Sequence, residues 1–180
     1  MNAPTPVAVS LANCMPAELL ASPAFLLARL GMAIKARAFD EFEQTGFSPY
    51  HHSVLALLDE GARDTQSAIA DALQLDRSQL VGLLDTLEEH GLVERRRDPG
   101  DRRRHVVSLT PAGREQLAAF RTIVERIEGE FLAPLDAGDR AALQALLLRL
   151  ASNYDPRFAP GVTVVAEVPL PLPDAKPSTV

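Results

Sequence analysis

SAIADALQLDRSQLVGLLDTLEEHGLVERRRDPGDRRRHVVSLTPAGREQL, residues 67–117, is the stretch on which the reading of this chain turns. Within it, the ten residues from Arg95 to Arg104 hold six of the sixteen arginines: Arg95, Arg96, Arg97, Arg102, Arg103 and Arg104. With Asp98 and Asp101 subtracted, this segment carries +4 in a chain whose formal net charge is −6. A local inversion of that kind marks a site for a polyanion. The acidity of the remainder weakens non-specific attraction to phosphate, but it leaves a specific site in place.

The same stretch has the punctuation of two short helices and a hairpin. A helix beginning near Thr65 places Ile69, Ala72 and Leu73 inward, and the chain turns at Gln74-Leu75-Asp76. Asp76, with Gln79 three residues on, has the pattern of a capping box. The helix it starts has an inward stripe of Leu80, Leu83, Leu84 and Leu87, with Gly91 as its C-terminal cap. Arg77, Ser78, Val81, Gly82 and Asp85 are left facing outward. Period-two character follows in Leu92 to Arg95 and in His105 to Leu109, around the turn residues Asp98-Pro99-Gly100-Asp101. The arginines therefore line the arms and tip of a β-hairpin, and Arg95, Arg96 and Arg97 alternate across a strand and cannot all face one way.

Outward from this segment the chain reads as helix. Ser22-Pro23 and Ser48-Pro49 are cap-and-proline starts, the first for a helix to about Gln44 and the second for a short one carrying Val54, Leu55, Leu57 and Leu58 up to Gly61. Thr110-Pro111 opens a long helix whose Leu117, Phe120, Val124, Ile127 and Phe131 are spaced as in a knobs-into-holes seam. A last helix, about Asp136 to Ala151, adds Leu143, Leu146, Leu147 and Leu150. Residues 48–110 can form their own small core, whereas the flanking helices, 23–47 and 111–153, are apolar in their own right and need a partner surface. A symmetric dimer with interleaved terminal helices is the economical solution. The predicted fold is mainly α with a small β-hairpin wing: a winged helix-turn-helix plus a helical dimerisation region. Residues 1–22 read as a flexible arm and 154–180 as a proline-rich tail, in which Val162 to Val168 is strand-like in composition.

Composition narrows the function. The chain is 47% hydrophobic, enough for a real core. It has no window of eighteen uninterrupted apolar residues and no basic segment ahead of an apolar N-terminal stretch, so it is expected to be cytoplasmic, with no membrane partner. A single cysteine, Cys14, excludes an intrachain disulfide and any Cys-rich zinc module. No Gly-rich phosphate loop, HExxH, GxSxG or paired-carboxylate motif is present, so neither an enzyme nor a cofactor is expected.

The ordered pattern over residues 67–117 resembles the MarR family, the multiple-antibiotic-resistance type of bacterial transcriptional regulator. The match lies in a short helix and turn, a recognition helix ending in Glu89-His90-Gly91-Leu92-Val93-Glu94-Arg95, a wing with Asp101 and Arg103, and Leu109, Thr110 and Gly113. Counting the flanking helices, it extends from about Pro23 to Asn153. The resemblance implies a homodimer that binds double-stranded DNA at a pseudo-palindromic operator, usually as a repressor released by a small aromatic or phenolic effector. By position, the helix from Asp76 would enter the major groove through Arg77, Ser78, Gln79, Val81, Gly82 and Asp85. Arg103 would reach the minor groove, with Arg97, Arg102 and Arg104 beside it. Val81 and Gly82 depart from the hydroxylic and basic residues usual in the family, so thinner direct readout is expected.

Three smaller features carry alternatives. Tyr50, His51, Arg29 and Phe25 mark an effector pocket by the resemblance, against a capping or core role for the histidine. His51 and His52 are poor partners for one metal ion because neighbours on a helix point about 100° apart, so no metal is expected. Cys14 raises thiol-based redox sensing, as in relatives with a cysteine within the first helix; here Phe25 and Leu26 occupy that place and no basic residue lies near Cys14 to activate it. A winged helix used as a protein-interaction module without specific DNA readout is the remaining alternative.

Overall fold

The computed structural model describes residues 15–61, 65–97 and 105–158. The helices are α1 (Ala17–Leu20), α2 (Pro23–Glu43), α3 (Pro49–Asp59), α4 (Gln66–Leu73), α5 (Arg77–Glu89), α6 (Pro111–Phe131) and α7 (Ala137–Tyr154). Strands β1 (Val93–Arg97) and β2 (His105–Leu109) lie between α5 and α6, and a 3-10 turn, Pro156–Phe158, follows α7. The chain divides into two compact units between Phe131 and Leu132.

Local chemistry sets the boundaries in the first unit. Ser22 and Thr65 cap α2 and α4 through their side-chain oxygens, which accept from the backbone N–H groups of Phe25 and Ala68. Gln74 ends α4 in the left-handed region at φ 53°, and Gly91 does the same for α5 at φ 68°. Asp76 Oδ1 accepts from the N–H of Gln79 at 2.8 Å while Gln79 Oε1 accepts from the N–H of Asp76 at 3.3 Å, which closes the expected capping box. The strands pair antiparallel with Arg95 opposite Val107 and Arg97 opposite His105, and Thr65 adds an isolated bridge to Val106.

The core draws on the flanking helices as well: Val54, Leu55, Ile69, Leu80, Leu84, Leu87, Val93 and Val107 form one cluster with Phe42 of α2 and with Leu117 and Phe120 of α6. Phe120 meets Phe42 at 5.1 Å and Phe47 at 5.3 Å between ring centroids, so the start of the predicted seam is consumed within the chain. In α4, Ile69 and Ala70 are buried, while Ala72 and Leu73 are half-buried. Outside the core, Arg126 joins Glu41 across α2 and α6, and Arg37 bonds Glu41 and Glu130, at 2.9 and 3.0 Å. Such exposed pairs contribute little individually.

Beyond Phe42, α2 buries none of its side chains, and Leu26, Leu27, Leu30, Met32 and Phe39 are exposed. In the second unit no residue of α7 is buried, and Leu146, Leu147, Leu148 and Leu150 are exposed. Asp155, itself buried, holds the Arg157 guanidinium and backbone N–H, and that pairing keeps its carboxyl below the usual range. No helix among the described residues is long and apolar enough to cross a membrane.

Candidate nucleic-acid interface

With Leu80, Leu84 and Leu87 in the core, α5 turns its opposite side outward. Arg77, Ser78, Gln79 and Gly82 are exposed, and Val81 is 41% exposed. A Cβ at Gly82 would meet nothing within 4 Å, so this part of the helix surface is open. Two of the sequence candidates are engaged at the helix start. Ser78 Oγ donates to Asp76 Oδ1 at 2.6 Å, and the Gln79 carbonyl oxygen is held by the N–H of Asp76. Both Ser78 and Gln79 bond to the Asp76 carboxylate, which keeps its pKa below the ordinary value, the Ser78 hydroxyl most strongly. Arg77, Val81 and Gly82 remain as the open part of the face, with Gln79 offering only its amide N–H groups.

The wing strands sort their arginines as alternation demands. Arg96 pairs with Glu94 on one face at 2.9 Å, and Glu94 also accepts from Ser108 Oγ across the hairpin at 3.2 Å. Arg95, on the other face, turns onto α5 and bonds Asp85 and Glu88. Arg97 is exposed at the last described position of β1, and Arg102, Arg103 and Arg104 lie outside the described residues. Asp85 is therefore not a free outward carboxylate. Sequence reasoning missed this contact, although the signal was present: Asp85 and Glu88 are one turn apart on α5, and alternation puts Arg95 on the same face as buried Val93.

The proposed effector residues fall in two places. Phe25 is half-buried and Arg29 exposed near the start of α2. Tyr50 packs edge-on against Phe39 at 5.8 Å, fourteen residues past Phe25, which corresponds to about 20 Å of helix. Within one chain Tyr50 and His51 are neighbours on α3, and Phe25 and Arg29 are not beside them. Cys14 lies outside the described residues.

His51 is 8% exposed, and its ring packs on Phe47 at 5.4 Å. The N–H of Ser48 donates to His51 Nδ1 at 2.8 Å, which places the ring proton on Nε2. That Nε2–H is buried with no acceptor among the described residues. His52 faces elsewhere, toward Phe42 and Phe120 at 6.2 and 6.5 Å, so the two rings do not converge.

Burial lowers the His51 pKa below the ordinary value, and the charge of His90 acts in the same direction. The unfolded chain therefore takes up a proton at about pH 6.5, where the folded chain resists it. The stability contributed by neutral His51 is complete above that pH and is lost as pH falls toward the folded value. A His51→Gln variant keeps a side-chain acceptor for Ser48 without titrating. Its urea midpoint should fall less than wild type between about pH 7.5 and about pH 5.5, and equal falls would remove His51 as the source.

The family model described as the MarR family matches residues 45–104. A transcriptional regulatory protein for the hcr operon of Thauera aromatica is 36% identical over 118 residues, covering 63% of this chain and 71% of that protein. This chain belongs to the MarR family. Solved structures agree with the fold described above. CouR from Rhodococcus jostii RHA1, bound to p-coumaroyl-CoA, is 32% identical with a TM-score of 0.64 over 77% of this chain and 95% of its own. The MepR–DNA complex from S. aureus is 26% identical with a TM-score of 0.62 over 73% and 98%. The MarR-family chain is thus a DNA-binding transcriptional regulator built on a winged helix, and not an enzyme.

Proposed function

We propose that this MarR-family regulator is a cytoplasmic homodimeric repressor that binds a near-palindromic operator and is released by a small aromatic or phenolic effector. The observation that carries the DNA reading is the outer face of α5, where Arg77, Val81 and Gly82 stand open, together with the exposed Arg97 of β1 and the three further arginines that follow it in sequence. Major-groove entry by α5 and minor-groove insertion of Arg103 fit that arrangement. Exposed leucines on α2 and on α7 support a dimer, because apolar patches of this kind mark association surfaces. Two recognition helices then address half-sites about 34 Å apart.

The unpaired His51 Nε2–H supports an effector that carries an acceptor oxygen, and the neighbouring Tyr50 and Phe47 rings suit a flat apolar body. The p-coumaroyl-CoA in the CouR structure favours the phenolic class. In the dimer, Phe25 and Arg29 would complete the site if the partner's α2 brought them to Tyr50. Effector binding would favour a dimer geometry whose recognition helices no longer match the operator spacing.

A reporter driven by the promoter this protein binds tests the direction of control. Expression should fall when the protein is supplied and recover on adding a phenolic acid such as p-coumarate. Expression that rises with the protein contradicts a repressor, and recovery that fails across a panel of aromatic acids contradicts the effector class.

A further inference from the structure

Arg95 lies mid-strand on the hairpin face that carries buried Val93 and, across the pair, buried Val107. From there its guanidinium reaches two carboxylates on α5. Nε donates to Glu88 Oε2 at 2.8 Å, Nη2 donates to Asp85 Oδ1 at 2.6 Å and also to Glu88 Oε2, and the backbone N–H of Arg95 donates to Glu88 Oε1 at 3.3 Å. The side chain is only 21% exposed, unlike the solvated Arg96 at 74%. A planar guanidinium with several donors fixes direction as well as distance, which a lysine could not do.

We propose that Arg95 is a positioning residue for DNA recognition: it clamps β1 to α5 through Asp85 and Glu88, so that the outer face of α5 and the exposed Arg97 at the end of β1 meet the duplex together. The inference rests on the DNA-binding reading above. A two-stranded hairpin is marginally stable by itself and takes its direction from its tethers. At its base the wing is held by Leu92, Val93 and Thr110, and further out by Arg95. Release of the tether from the α5 side leaves every basic residue of the wing in place while freeing β1 to shift relative to α5. Non-specific attraction to phosphate persists, and simultaneous groove contacts are lost. The clamp also offsets one of the two carboxylate charges that Asp85 and Glu88 bring to α5.

Charge and position make opposite forecasts, which allows a clean test. Arg95→Gln removes a positive charge, whereas Glu88→Ala removes a negative one, yet each breaks the side-chain bonds to Glu88 that make up most of the clamp. The probe is the duplex that the wild-type protein enriches from a randomised pool, measured against a scrambled duplex of equal length. Both variants should lose about tenfold in the ratio of specific to scrambled affinity, the value of one misaligned base contact. Circular dichroism confirms that each is folded; if Arg95→Gln is not, the change at half-buried Glu88 alone decides. Opposite movements of the two variants, or an unchanged ratio in Glu88→Ala, overturn the clamp. A wild-type protein that enriches no sequence overturns the DNA-binding reading and the clamp with it.

Discussion

Gly113→Ala should cost this protein at least about 3 kcal/mol of stability and lower its melting temperature by about 10 °C, although alanine is the better helix former. The reason is a backbone approach. A Cβ at Gly113 would stand 2.0 Å from the carbonyl oxygen of Leu92 and 3.0 Å from its carbonyl carbon. Neither can swing aside as a side chain would, because Leu92 is buried and is the joint between α5 and β1. The same junction is tied by Thr110, whose N–H and hydroxyl both donate to the Leu92 carbonyl at 3.1 Å, while its Oγ1 accepts from the Gly113 N–H at 3.0 Å. Pushing α6 off Leu92 therefore disturbs the cap of α6 and the base of the wing together. Gly129 on the same helix provides the control: its Cβ would meet nothing within 4 Å, so Gly129→Ala should stabilise by up to about 1 kcal/mol. Thermal unfolding followed by circular dichroism measures both. Equal and small shifts for the two variants would contradict the close approach.

The second large effect concerns binding. Replacing Arg102, Arg103 and Arg104 by alanine should abolish most operator affinity while leaving the melting temperature within a few degrees. Each lost phosphate contact lowers the slope of log K against log salt by about 0.9, and a dimer loses each contact twice. Arg103→Ala alone should reduce preference for an A·T-rich step near the wing more than it reduces overall affinity, the signature of an arginine reading a narrow minor groove. Fluorescence anisotropy over a salt series separates these outcomes. An unchanged salt slope in the triple variant would show that the wing arginines do not touch the backbone.

Much of the fold was legible because it is written in local chemistry. The Ser22 and Asp76 caps, Gly91 and the leucine stripe of α5 each act within a few residues, and each reappears in the structure as read. What escaped was set by contacts distant in sequence. Phe120 read as part of a dimer seam because its spacing suits one, yet its partners Phe42 and Phe47 are brought to it only by the fold. Asp85 read as outward because its helix phase is outward, and only the return of β1 beside α5 gives Arg95 its grip on it. Ser78 and Gln79 read from position as candidate DNA contacts, whereas their bonds to Asp76 narrow the open face to Arg77, Val81 and Gly82. The effector residues were harder, because Phe25 and Arg29 lie about 21 and about 15 Å along α2 from the Phe39 ring that Tyr50 meets.

The most direct test of the whole account is selection of DNA by the intact protein from a randomised duplex pool, followed by measurement of affinity for the enriched sequence. The account predicts a two-fold-related pair of half-sites about one helical turn apart, bound by a dimer, with affinity that falls steeply as salt rises. Enrichment of no sequence, or of a single half-site bound by one chain, would contradict it.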